Sequence, residues 1–168
     1  MRRLHLLRHA KSSWDDYMLA DRERPLAPRG RKAAKRIAGW AVNHDVRPQV
    51  IACSSAVRAR ETLQRVLPGL GKPEVLTEDS LYAASAETLL ARVQALPDEV
   101  EEAMLIGHNP GIQELVLLLA EQGELRDRAA AKLPTCALAT LEADVRGWAK
   151  IKPGQMRLSS FVVPRDLR

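Results

Sequence analysis

Three short apolar runs in this 168-residue chain end on residues that bind anions or carry protons. Residues 4–7 lead into Arg8 and His9, residues 50–53 into Ser54 and then Arg58, and residues 103–106 into His108 and Asn109. If they converge, two guanidinium groups, two imidazoles and several amide donors make a pocket for a compact dianion, and phosphate is the obvious one. Arginine offers a planar fork that matches phosphate oxygens. Helix N-termini after Ser54 and Asn109 would add backbone N–H donors. Each residue also has a plainer role when taken singly. A histidine at a strand end is often held by local hydrogen bonds. Arg58 can cover a helix face with its stem, and Ser54 or Ser55 can cap the helix that follows. Recurrence at three equivalent strand ends favours a site. His5 lies mid-strand and His44 near a helix end, and neither shares that placement. No Cys, His and acidic cluster has metal-ligand spacing, so neither a metal nor another cofactor is expected.

For these groups to meet, the three runs must be neighbouring parallel strands, because open α/β sheets bind ligands outside the carboxyl ends of their strands. Between them lie helical patterns. Pro28 suits a first helical position, and Ala33, Ala34, Ile37, Ala38 and Ala41 follow at helical spacing until Arg47-Pro48. Residues 57–67 read as a second helix, broken by Pro68, Gly69 and Gly71. A short strand is expected over 74–77, then a helix over 86–96 capped by Ser85, and an apolar helix over 112–120. A charged loop should follow, then strands over 136–141 and 156–163. The last strand is expected to pair with 149–152 in a hairpin across Pro153-Gly154. The expected fold class is α/β: a three-layer sandwich with a mostly parallel central sheet, helices on both faces and an antiparallel edge strand.

Length argues for one domain over residues 1–168. Net charge is +5, from 26 Lys and Arg against 21 Asp and Glu. The excess is local: residues 1–36 hold 11 basic and four acidic side chains, so the remainder is slightly acidic. A basic segment on a near-neutral body attracts anions, nucleic acid and small phosphorylated ligands alike, although a merely solvated basic face has the same composition. Six aromatic residues and no interleaved Arg/aromatic motif argue against a nucleic-acid-binding domain. Cys53 and Cys136 sit in apolar runs, as buried thiols of a reducing cytosol would. No apolar run approaches the 18 residues of a membrane span. The opening MRRLHLL starts like a signal peptide, but Arg8, His9 and Lys11 cut it short. A cytoplasmic monomer without membrane contact is expected.

The run LLRHAKSSW, containing Arg8-His9-Ala10, resembles the signature of the histidine phosphatase (phosphoglycerate mutase-like) superfamily. RPLAPRG, CSSAVRARET and IGHNPG match its other blocks in order, from Leu4 to about Leu119. RHAKSSW and the small size resemble the short phosphohistidine phosphatase (SixA-like) branch in particular. The resemblance implies that His9 is the nucleophile that takes the phosphoryl group. It further implies that Arg8 and Arg58 clamp phosphate oxygens and that His108 donates to the phosphoryl group, with Ser54, Asn109 and Ser12 adding hydrogen bonds. The substrate it implies is a phosphorylated protein or a small phosphorylated compound, hydrolysed through a phosphohistidine intermediate. Nearby Arg cations should keep His9 neutral and able to attack, while a bound dianion should favour protonated His108.

Two departures from the superfamily bear on the substrate. Members acting on esters carry an acid beyond the Arg58 block, and that position falls on Ala83, with Glu78 and Asp79 as the nearest carboxylates. An alkoxide leaving group needs a general acid, whereas the imidazole of a phosphoramidate can be protonated beforehand. The missing acid therefore favours phosphohistidine over the alternative, a phosphomonoesterase or mutase acting on small esters. Ala27 replaces the usual Thr before Pro28 and should weaken a helix cap. The loop holding Lys11, Trp14, Tyr17, Arg22 and Arg24 is long enough to be functional. Trp14 reads equally as a core anchor or as a substrate contact.

Overall fold

The sheet is assembled out of chain order, and that shuffling brings the three critical strand ends together. The computed structural model describes residues 1–167. In chain order the elements are β1 (Arg2–Arg8), α1 (Pro28–Asn43), β2 (Val50–Ser54), α2 (Val57–Val66), β3 (Glu74–Glu78) and α3 (Ala86–Gln94). They continue with β4 (Glu102–Gly107), α4 (Gly111–Leu119), α5 (Glu124–Ala131), β5 (Leu138–Ala143) and β6 (Arg157–Val162). The strand order is β3-β2-β4-β1-β5-β6. The first four strands are parallel, while β5 runs antiparallel to β1 and β6 antiparallel to β5. Among the described residues no helix is long and apolar enough to cross a membrane.

Alternation along the buried strands sends side chains to two cores. Leu4, Leu6, Ala52, Ala103 and Leu105 join α3 and α4 through Leu89, Val93, Ile112, Leu115 and Val116. Leu7, Ile51, Cys53, Met104 and Ile106 face the opposite way, onto Ile37 and Ala41 of α1 and Leu63 and Val66 of α2. Helices thus cover both faces, as the near-continuous apolar strands require. Truncating Leu6 to Ala in such a core would cost about 2–5 kcal/mol.

α1 starts at Pro28, and its N-cap Ala27 makes no side-chain capping bond. Contact with the preceding loop compensates. Ala27 N–H donates to the Lys11 carbonyl at 2.9 Å. Gly30 lets that carbonyl approach so closely that a Cβ would lie 2.2 Å from it. The long loop is therefore pinned at its root, two residues beyond His9.

Several expectations need correction. The charged stretch after α4 is the helix α5, whose one buried residue is Ala129, too weak an apolar stripe to register as periodicity. Residues 149–152 form no hairpin with β6. The chain at Trp148–Lys150 makes a single 3-10 turn, and β6 pairs with β5 instead. The buried Trp148 indole donating to the Val100 carbonyl at 2.7 Å holds that turn. Neither Ser54 nor Ser55 is the N-cap of α2; Ala56 is. Trp14 is not a core anchor, being 66% exposed with the Arg24 guanidinium 3.3 Å from its ring centroid.

Candidate active site

Register puts the strand ends in line. Arg8 of β1 pairs with Gly107 of β4, and Cys53 of β2 pairs with Ile106. One residue further, His9 N–H donates to the Gly107 carbonyl at 3.0 Å. The His9 and His108 rings consequently face each other with centroids 5.1 Å apart. Arg58, in the first turn of α2, brings its Nε to 3.4 Å from His9 Nε2. His9, Arg58, Ser54 and His108 are all buried.

A hydrogen bond to a carbonyl fixes the proton on His9. His9 Nδ1 lies 2.7 Å from the Ala10 carbonyl, which can only accept, so Nδ1 carries the proton and Nε2 keeps its lone pair. Ser54 Oγ accepts from Ala56 N–H at 3.3 Å and lies 2.7 Å from His108 Nε2. Where the hydroxyl donates to Nε2, neutral His108 carries its proton on Nδ1 and presents it as a donor. Three buried side-chain nitrogens lack a partner among the described residues: Arg2 Nε, Arg8 Nε and His108 Nδ1. Two of the three belong to this site.

Both imidazoles are held neutral. Burial pushes His9 down to about 3, aided by His108, Arg58 and Arg8 and opposed by the bond to Ala10. Burial likewise pushes His108 down to about 4, with Arg58 and Arg8 adding to the effect and Asp21 opposing it. The arginine effect expected on His9 is present, but desolvation is the larger cause. In the tautomer that takes the Ser54 hydroxyl proton at Nε2, His108 donates from Nδ1 without an added proton.

Asn109 and Ser12 are engaged with protein groups. Asn109 Nδ2 donates to the Leu133 carbonyl at 3.0 Å, and its oxygen accepts from Gln113 N–H in the first turn of α4 at 3.2 Å. Ser12 Oγ accepts from Arg24. Arg8 also spends NH1 on the Leu133 carbonyl, at 3.0 Å. Neither nearby carboxylate is poised as a proton donor. Glu78 forms a two-pronged pair with Arg92 at 2.7 and 2.9 Å. Asp79 is exposed and bound by Arg22 at 2.7 Å. Sequence reasoning missed Asp21 and Tyr82. Asp21 bridges Arg58, Arg24 and the Tyr82 hydroxyl, and the Tyr82 ring packs edge-on 5.4 Å from His108. The available signal was the alternation of carboxylates and guanidiniums in Asp21-Arg22-Glu23-Arg24. Among the described residues, no group of three or more His, Cys, Asp or Glu side chains is placed to hold a metal ion.

Two adjacent imidazoles, two arginines and a mostly parallel sheet covered on both sides are the features of an α/β phosphatase built on histidine. Comparison with known proteins agrees. Residues 4–84 match the model of the histidine phosphatase superfamily, branch 1. The crystal structure of a SixA from Agrobacterium tumefaciens superposes with a TM-score of 0.84 at 31% identity, covering 97% of this chain and 98% of that one. The protein histidine phosphatase SixA in complex with tungstate shares the fold, with a TM-score of 0.81 at 23% identity over 99% of both chains. An uncharacterized protein of Mycobacterium tuberculosis, Rv1276c, is 35% identical over 95% of this chain and 100% of its own length. The chain belongs to the histidine phosphatase superfamily, in its SixA-like branch.

Proposed function

We propose that the protein is a phosphohistidine phosphatase that works through a phosphorylated His9. His9 Nε2 attacks phosphorus in line, forming the new P–N bond as the substrate P–N bond breaks. The substrate imidazole, protonated beforehand on its other nitrogen, leaves neutral. Water then attacks phospho-His9, giving inorganic phosphate and restoring the imidazole. Arg8 Nε, the Arg58 guanidinium and His108 Nδ1–H stabilise charge on the equatorial oxygens, the main requirement of phosphoryl transfer. The two guanidiniums supply the positive charge, so the reaction runs without a metal ion and survives a chelator.

The observation that carries this reading is the unspent capacity at the site. A buried donor left unpaired costs about 1–3 kcal/mol, and Arg8 Nε and His108 Nδ1 are both left unpaired beside the lone pair of His9. A phosphoryl group would satisfy all three. The choice of a P–N over a P–O substrate rests on the carboxylates, because Glu78 is tied to Arg92, Asp79 to Arg22, and Ala83 offers no acid. A substrate panel tests it. Phosphohistidine, free or in a protein, should be turned over with higher kcat/KM than sugar phosphates, nucleotides or phosphoserine. Faster ester turnover would contradict the assignment.

A further inference from the structure

We propose that Asp21 is a positioning residue, which turns the side edge of the Arg58 guanidinium towards the phosphoryl group. This rests on the reading above, in which Arg58 binds that group. A guanidinium offers two forks, an end edge made by its two terminal nitrogens and a side edge made by Nε and one of them. Asp21 takes the end edge. Its backbone carbonyl accepts from Arg58 NH1 at 2.7 Å, and its Oδ2 accepts from NH2 at 2.9 Å. The side edge is left facing the reacting nitrogen, with Nε 3.4 Å from His9 Nε2. A phosphoryl group arriving at His9 therefore meets the side edge without displacing Asp21.

Asp21 can orient Arg58 because its carboxylate is itself held by two other side chains. The Tyr82 hydroxyl donates to Oδ2 at 2.5 Å, and Arg24 NH1 donates to Oδ1 at 2.9 Å. Arg24 in turn donates to the Ser13 carbonyl at 3.2 Å and to Ser12, so the loop after His9 is tied into the same network. The Tyr82 hydrogen bond, followed by Arg58 and Arg24, holds the Asp21 carboxyl well below the usual carboxylate range. The carboxylate accordingly stays anionic throughout the neutral range. Arg58 would otherwise carry several rotatable bonds into a site where a displacement of about 1 Å can cost 10²-fold.

Wild type, Asp21→Ala, Arg58→Ala and the double variant form the test. Inorganic phosphate affinity is read by calorimetry and turnover with phosphoramidate. Asp21→Ala should lower kcat by about tenfold to a hundredfold with a smaller change in KM, as expected for a misplaced transition-state contact. Added to Arg58→Ala, it should cost less than about twofold, because the two residues act as a unit. Guanidinium ion should restore activity to Arg58→Ala while Asp21 is present to hold it, and fail to do so in the double variant. The inference is overturned if Asp21→Ala is as active as wild type, if its cost persists undiminished without Arg58, or if guanidinium rescues both variants equally. If Arg58→Ala binds phosphate as tightly as wild type, the premise that Arg58 holds the anion is lost, and the inference goes with it. Thermal melts of each variant separate these results from a loss of folding.

Discussion

The two ends of strand β1 carry similar residues and treat them in opposite ways. Towards the amino end, Arg3 pairs with Glu142 at 3.1 Å and Glu102 at 3.6 Å. His5 is buried with both nitrogens taken, by Thr140 Oγ1 at 2.9 Å and Glu102 Oε2 at 2.8 Å. At the carboxyl end, Arg8 Nε is unpaired, and His9 Nε2 has only the long contact from Arg58. Burial, residue type and strand are shared, so none of these distinguishes a structural histidine from a reactive one. For the imidazoles unspent hydrogen-bonding capacity does, since both nitrogens of His5 are taken while His108 Nδ1 has no partner among the described residues; for the arginines it does not, because Arg2 Nε at the amino end is unpaired as well.

The strongest way to break this contrast is to truncate the two histidines in turn. His9→Ala should lower turnover by on the order of 10⁴-fold or more, as loss of a nucleophile does elsewhere. His5→Ala should leave turnover per folded molecule unchanged, while unpairing Thr140 and Glu102 and lowering stability by about 1–3 kcal/mol in a denaturant titration. The arginines come next. Arg8→Ala or Arg58→Ala should each cost about 10²-fold or more in kcat, by analogy with loss of an oxyanion donor, whereas Arg3→Ala should leave kcat intact. Ser54→Ala frees the other nitrogen of His108 and should cost about tenfold, the worth of one hydrogen bond. The smallest effect is in pH behaviour. His9 lies at about 3 and His108 at about 4, so neither ring should titrate between pH 5 and 8 when followed by NMR. Below the ordinary value of about 6.5 the unfolded chain binds more protons at these positions than the folded one. Their contribution to stability is therefore complete above about pH 6.5 and falls as pH drops towards 3. Either site ring titrating near 6.5 would contradict the neutral state of the site.

The carboxyl-end cluster was legible in the sequence because parallel strands confer position on whatever follows them. Arg8-His9, Ser54 and His108-Asn109 needed only the rule that strand ends share a rim. What was illegible depended on contacts made across the chain. Asp21 sits in a loop without periodicity, and its role comes from Arg58 and Tyr82, 37 and 61 residues away. The engagement of Asn109 turns on a carbonyl, Leu133, which no side-chain pattern encodes. The helix α5 escaped because its one buried residue leaves no stripe. The 149–152 hairpin was inferred from a Pro-Gly turn, whereas the burial of Trp148 decides that segment.

In the proposed reaction His9 alone carries the phosphoryl group in transit. Incubation with radiolabelled phosphoramidate, followed by a rapid alkaline quench and peptide mapping, tests it most directly. Acid-labile, alkali-stable label is expected on the peptide containing His9, and none in His9→Ala. Label on His108, or label of undiminished yield in His9→Ala, would contradict it.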